Sequence, residues 1–384
     1  MGSVLENIRV LDLSRVIAGP FCSQILADFG AEVIKVEDPN LGDPGRWNSN
    51  DASKKSALFY TVNRNKKSIT LDLKKEEGKR IFKNMARESD VVIDQFRPGV
   101  MDQLGLGYKE LSSINKGIIY CALSGYGSTG PMARLAGHDL NFQSIAGITG
   151  CTGVPHITGI ETAALAGGAL YAALGIVLAL YNREITGKGQ MCDVSMVDGS
   201  ISLLAYALSE WSQSRRLPYR NTGYYAFYNI YRTKDNRYIS LAAVETKFWQ
   251  EFCDKLELTQ YIEFQRDLSL QGEIKAAIQA KFLEKTRDQW MEFFQGSDIC
   301  ITPVLSLEEM YNHPQVIYRE MITRVTDYDS GQELTLAGIP IKLSATPGKM
   351  KLTFPKLGEH NTEILLSLGY NLEDIEKLKR NKVI

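Results

Sequence analysis

Short, fully apolar runs punctuate the first half of the chain, and stretches with helical spacing separate them. Arg9-Val10-Leu11-Asp12-Leu13 reads as a buried strand. Gly19-Pro20 then opens a helix, with proline at an early helical position, and Phe29-Gly30 closes it. Glu32 to Glu37 is the next strand, followed by a strand over 68–73 and a charged amphipathic helix over 75–86. Further strands fall at 91–93 and 118–123. Strands spaced by helical patterns predict a parallel sheet with helices on its faces. The spacing also predicts a long helix over 162–185, a turn at 186–190, a strand over 191–195 and a helix over 196–211.

The pattern changes after Trp211. Residues 212–224 are polar and arginine-containing and read as a linker. A hairpin over 226–231 and 238–243 turns at Lys234-Asp235-Asn236, and amphipathic helices follow near 247–256, 271–285 and 287–297. The expected organisation is a large unit over 1–211, a smaller α+β unit over 225–322, and a return to the large unit over 323–384.

Composition narrows the function classes. The 384 residues carry 44% hydrophobic and 23% charged side chains, ordinary for a globular protein, with a net charge of −1. Neither nucleic acid nor an anionic membrane is expected as a partner, and any site for a phosphorylated ligand must be locally basic. The six cysteines are scattered, with no paired spacing for a metal, which fits free thiols in a reducing, cytoplasmic setting. The run from Thr162 to Tyr181 is apolar enough to resemble a membrane span, but its small residues and paired glycines favour a buried core helix.

Several clusters carry chemistry. Gly125, Gly127 and Gly130 satisfy a GxGxxG spacing, yet Pro131 follows and no helix opens there, so a glycine loop shaping a pocket fits better than a dinucleotide fingerprint. His138 stands between Gly137 and Asp139, a flexible corner with a carboxylate beside an imidazole. Asn63-Arg64-Asn65-Lys66-Lys67 is a basic turn, and Val16-Ile17-Ala18-Gly19-Pro20 is a strand-to-helix corner whose helix start could receive a phosphate or an adenine edge.

Taken together, Gly137-His138-Asp139, Thr162-Ala163-Ala164-Leu165-Ala166-Gly167-Gly168 and Ala243-Val244-Glu245 resemble the active-site segments of the family III CoA-transferases, the CaiB/BaiF family. The similarity is greatest to its α-methylacyl-CoA racemase group and runs from Val10 to about Tyr370. It implies a Rossmann-like, doubly wound α/β domain plus a smaller α+β domain, assembled as an interlocked homodimer. Coenzyme A or an acyl-CoA is implied as substrate, with no covalently bound cofactor and no metal. Asp94-Gln95-Phe96-Arg97-Pro98-Gly99 resembles the family segment placed against CoA. Gln95, Phe96 and Arg97 are thereby implied in binding, along with Lys66, Lys67, Val16, Ile17, Gly125 and Gly127. His138 is implied as the acid/base at the thioester α-carbon, and Glu245 as its partner across the dimer. Backbone amides near Ala164 and Leu165 are candidate donors to an enolate oxygen.

The family's catalytic aspartate falls on Ala164, whose methyl group is neither a nucleophile nor an acid. Four readings stay open: an Asp-to-Ala inactivated variant, a one-base enzyme, the silent partner of a homologous catalytic subunit, or an acyl-CoA-binding regulator. The first activity reading is proton transfer at the α-carbon, and the alternative is CoA transfer between carboxylic acids. A lone His138 predicts isotope exchange that outruns inversion. Glu161, three residues before Ala164, reaches a nearby face if the segment is helical.

Overall fold

The computed structural model describes residues 2–47, 56–326, 331 and 333–384. The strands Arg9–Asp12 (β1), Glu32–Glu37 (β2), Lys66–Thr70 (β3), Val91–Asp94 (β4), Ile119–Ser124 (β5) and Met191–Ser195 (β6) form one parallel sheet in the order β3-β2-β1-β4-β5-β6. In register, Leu11 of β1 lies between Ile34 of β2 and Val92 of β4, and all three are buried. The parallel sheet predicted from the pattern is therefore present. Its strand order reverses between β1 and β4, where sheets of this kind leave a crevice beyond their carboxyl ends.

Contacts group Met1–Ile148, Ile157–Leu203 and Ile317–Ile384 in one unit, and Thr149–His156 with Leu204–Val316 in another. In the first, the C-terminal helices Asn361–Ser367 and Leu372–Arg380 bring Leu365, Ile375 and Leu378 into the core of the parallel sheet. In the second, Tyr228–Arg232 (β7), Tyr238–Ala242 (β8) and Ile301–Pro303 (β9) form an antiparallel sheet over Trp249, Phe252, Phe282 and Trp290. The helix expected over 196–211 breaks at Leu204 into Met196–Leu203 and Ala205–Ser214.

Two further expectations change in detail. The strand expected at 68–73 starts earlier, at Lys66, because Lys66 and Ser68 point into a buried polar network that no apolar pattern announces. The long helix begins as a π-helix over Ala163–Ala169 and continues as an α-helix over Leu170–Thr186. The wide turn brings Gly167 against Gly199 of the helix Met196–Leu203, so closely that a Cβ on Gly199 would overlap the Gly167 carbonyl. A π-turn of this kind is rare and concentrates at functional sites.

The polar network joins the end of β1, the middle of β2, the start of β3 and the loop after β2. Lys66 Nζ pairs with Asp12 Oδ2 at 3.1 Å, and Lys35 Nζ pairs with Asp43 Oδ2 at 2.8 Å; Asp12, Lys35, Asp43 and Lys66 are all buried. Burial alone would raise the Asp12 carboxyl, but Lys66 and Lys35, with the Ser14 and Ser23 hydroxyls, hold it well below the usual carboxylate range. Burial brings Lys66 down to about 8, against the pull of Asp12.

At the end of β4, Asp94 accepts hydrogen bonds from the Phe96 N–H at 2.8 Å and the Tyr120 hydroxyl at 2.7 Å. Burial, aided by Asp102, nevertheless pushes its carboxyl up to about 6, from an ordinary 3.8. Folded Asp94 then binds its proton more tightly than the unfolded chain, so stability contributed here falls as pH rises from about 4 through about 6. Asp94→Asn removes that loss while keeping an acceptor for Phe96. Urea unfolding of both proteins should show Asp94→Asn gaining roughly 2–3 kcal/mol on the parent between about pH 4 and about pH 7. A constant difference across that range would mean that Asp94 titrates normally.

Candidate active site

The corner after β1 is built from backbone held by buried side chains. Val16, a β-branched residue, has φ +69° in the left-handed region, a conformation that costs on the order of 1–3 kcal/mol. Its N–H donates to Asp43 Oδ1 at 3.0 Å. The Arg15 and Gly19 N–H groups donate to Gln95 Oε1 at 3.2 and 3.3 Å, and Lys35 Nζ donates to the Ser14 carbonyl at 2.8 Å. Gln95 thus ties the β4 loop to the β1 corner. The Arg15 guanidinium stacks 4.6 Å from the Phe96 ring centre.

The glycine loop after β5 serves packing. Gly125 and Gly137 both lie against the Phe142 ring; a Cβ on Gly137 would sit 2.7 Å from it. Gly127 takes φ +89° to turn the loop, which Asp193 then fixes through the Ser128 N–H at 3.1 Å and hydroxyl at 2.9 Å.

Phe142 belongs to the helix Asp139–Ala146, and His138 is its N-cap residue. The His138 N–H donates to Asn141 Oδ1 at 3.0 Å, closing the first turn. Asp139 Oδ1 accepts the Ala164 N–H at 2.7 Å, and its Oδ2 accepts from Gln143, a buried side chain. The Leu165 N–H donates to the Glu161 carbonyl at 2.9 Å. The amides of Ala164 and Leu165, expected as enolate donors, are therefore engaged within the fold and are not aimed at a ligand.

A cavity of about 790 Å³ opens where these elements meet. It brings together the predicted Val16, Ile17, Gln95, Phe96, Arg97, Gly125, His138, Asp139, Glu161 and Ala164. A second cavity of about 300 Å³ shares Arg15 and Phe96 with it and is lined further by Asp38, Asp43, Asp72 and Lys74. Arg15 and Lys74 were not picked out from sequence. Arg15 directly precedes the recognised corner, and that adjacency was the available signal.

Other predicted residues stand elsewhere. Lys66 is corrected as a phosphate ligand: it is buried, and its ammonium is held by Asp12, the Pro20 carbonyl at 2.9 Å and Asn63 Oδ1 at 2.9 Å. Lys67 bridges Glu32 and Glu363, both at 2.7 Å, so its charge is already matched. Gly127 shapes the loop and does not line the cavity. Glu245 is exposed in the second unit, at the N-cap of the helix Thr246–Lys255. Among the described residues no cluster of three or more His, Cys, Asp or Glu could hold a metal ion.

Comparison with known proteins agrees with this architecture. The model of CoA-transferase family III matches residues 5–361. The chain is 34% identical to the α-methylacyl-CoA racemase of Homo sapiens over 390 residues, covering 99% of this chain and 97% of that protein. It is equally 34% identical to the succinyl-CoA–D-citramalate CoA-transferase of Chloroflexus aurantiacus, covering 99% and 98%. The crystal structure of a CaiB/BaiF family protein from Brucella suis superposes with a TM-score of 0.83 at 28% identity, covering 96% of this chain and all of that one. With a fold, a crevice and a chain-long match in agreement, this protein belongs to CoA-transferase family III, the CaiB/BaiF family of enzymes acting on CoA thioesters.

Proposed function

We propose that this chain binds an acyl-CoA across the two adjoining cavities and transfers a proton at the thioester α-carbon. The observation that carries this reading is His138 on the cavity wall, with Arg15 and Arg97 on the same wall and a methyl group at Ala164. The two arginines match the phosphates of CoA in an otherwise near-neutral protein. The thioester carbonyl acidifies the α-proton, His138 accepts it, and the electron pair moves into the carbonyl to give an enolate. The family resemblance implies Glu245, contributed across a dimer by the other copy of the chain, as the carboxylate that strengthens His138. CoA transfer between carboxylic acids is the second reading, favoured by relatives such as the Chloroflexus transferase. It ranks second because the position of the family's carboxylate nucleophile carries only the methyl of Ala164.

The assembly we propose is a homodimer. One side of the helix Leu170–Thr186 carries Leu174, Val177, Leu178, Tyr181 and Ile185, each between 45% and 69% exposed, while Ala172, Ala173, Ile176 and Ala179 are buried on the other. An apolar face of that extent favours a protein partner. A cytoplasmic location goes with this reading, supported by six free cysteine thiols.

Incubation with a panel of 2-methylacyl-CoAs in D₂O, followed by mass spectrometry, should show α-deuterium uptake. His138→Ala should abolish it for one enantiomer and Glu245→Gln should slow it there; uptake from both enantiomers at the parent rate in His138→Ala removes that histidine from the chemistry. Calorimetry with CoA should show binding that weakens with added salt, and by roughly tenfold in Arg97→Ala. Equal affinity in the variant would take Arg97 out of the site. Sedimentation at micromolar protein should give twice the 42.9 kDa chain mass, and a stable monomer would exclude the dimer.

A further inference from the structure

We infer that Glu161 is a second catalytic acid/base of this site, acting on the face of the α-carbon opposite His138; the inference rests on the acyl-CoA reading above. The cavity wall carries two carboxylates, Asp139 and Glu161. They differ in what surrounds them. Both oxygens of Asp139 are occupied, one by the Ala164 N–H at 2.7 Å and the other by Gln143. Gln143 is itself fixed by the Thr158 hydroxyl at 2.8 Å, so Asp139 is locked into the fold as an acceptor. Glu161 is exposed, and its carboxylate makes no hydrogen bond or ion pair among the described residues. It is the carboxylate of this wall whose oxygens are open to a substrate.

Local backbone geometry places it. The Glu161 carbonyl accepts the Leu165 N–H, and Thr162 has helical angles of φ −60° and ψ −43°, so Glu161 stands at the foot of the helical segment that carries Ala164. Helical side chains lean toward the N-terminus, over the preceding turn. The space a longer side chain at 164 would fill therefore lies over 160–161, the surface from which Glu161 rises. Ala164 projects only a methyl and leaves that space open to the Glu161 carboxylate. His138 adjoins Asp139 in the chain and Glu161 lies one turn before Ala164. The two groups are thus tied to opposite ends of the Asp139–Ala164 hydrogen bond.

The step balances without a co-reactant. In one direction His138 takes the α-proton, the C–H electron pair moves into the thioester carbonyl, and a protonated Glu161 returns a proton to the other face as the carbonyl re-forms. In the reverse direction the two groups exchange roles. The product is the inverted thioester, and both groups re-equilibrate with solvent. A two-sided site of this kind inverts about as fast as it exchanges, unlike the one-base behaviour expected from the sequence.

The test follows α-deuterium uptake and inversion for each enantiomer of a 2-methylacyl-CoA, using the full chain. The parent protein should invert and exchange at comparable rates. Glu161→Gln should lose inversion by about 10²–10⁴-fold while keeping His138-dependent uptake on one enantiomer and an unchanged melting temperature. His138→Gln should keep uptake on the other enantiomer only. Inversion that persists in Glu161→Gln, or a parent protein that exchanges without inverting, overturns the role of Glu161 and leaves the acyl-CoA reading standing. A parent protein that takes up no deuterium from any acyl-CoA overturns that reading, and the inference with it.

Discussion

The buried pairs Asp12–Lys66 and Lys35–Asp43 are the constraint on which the rest of the first unit depends. Charges removed from water are tolerated only when paired and hydrogen-bonded, and removing one partner of such a pair typically costs about 3–5 kcal/mol. Here each charge also grips backbone: Asp12 accepts the Ser14 N–H, Lys35 holds the Ser14 carbonyl, Asp43 holds the Val16 N–H and Lys66 holds the Pro20 carbonyl. Four side chains, from the end of β1, the middle of β2, the start of β3 and the loop after β2, thus define the corner at which the sheet reverses. The left-handed Val16 is maintained by this grip, since an isolated valine would leave that conformation.

The site inherits its geometry from that corner and from two close approaches of glycine. Gly167 against Gly199 sets the depth of the π-helical segment, and Gly137 against Phe142 sets the entry to the His138 helix. Asp139 then joins the two elements through the Ala164 N–H. With its two oxygens taken by the Ala164 N–H and Gln143, its role is to connect and not to react. The same hydrogen bond removes the Ala164 amide from any list of oxyanion donors.

The two relatives at equal identity act differently on CoA thioesters, one as a racemase and one as a transferase. One fold can serve both activities, because function rests on the particular groups of a site and not on the fold that carries them. In this chain one cavity wall carries His138, Glu161 and a methyl at Ala164.

Strand and helix periodicity along the first two hundred or so residues determined the parallel sheet, because buried strands and amphipathic helices write their burial directly into residue spacing. The wall residues from Val16 to Ala164 were readable through contiguous motifs, since each motif is one loop or one helix start. What the sequence by itself did not decide was the use of each charged group. Lys66 and Arg15 look alike as cations in basic or corner segments, and only the tertiary structure buries the first against Asp12 and leaves the second stacked on Phe96. Asp139 and Glu161 look alike as carboxylates near the active segment, and only the fold occupies one and frees the other. The physical reason is that burial and pairing come from residues far apart in sequence, such as Asp12 with Lys66 or Asp139 with Ala164. The spacing of a single segment cannot carry them.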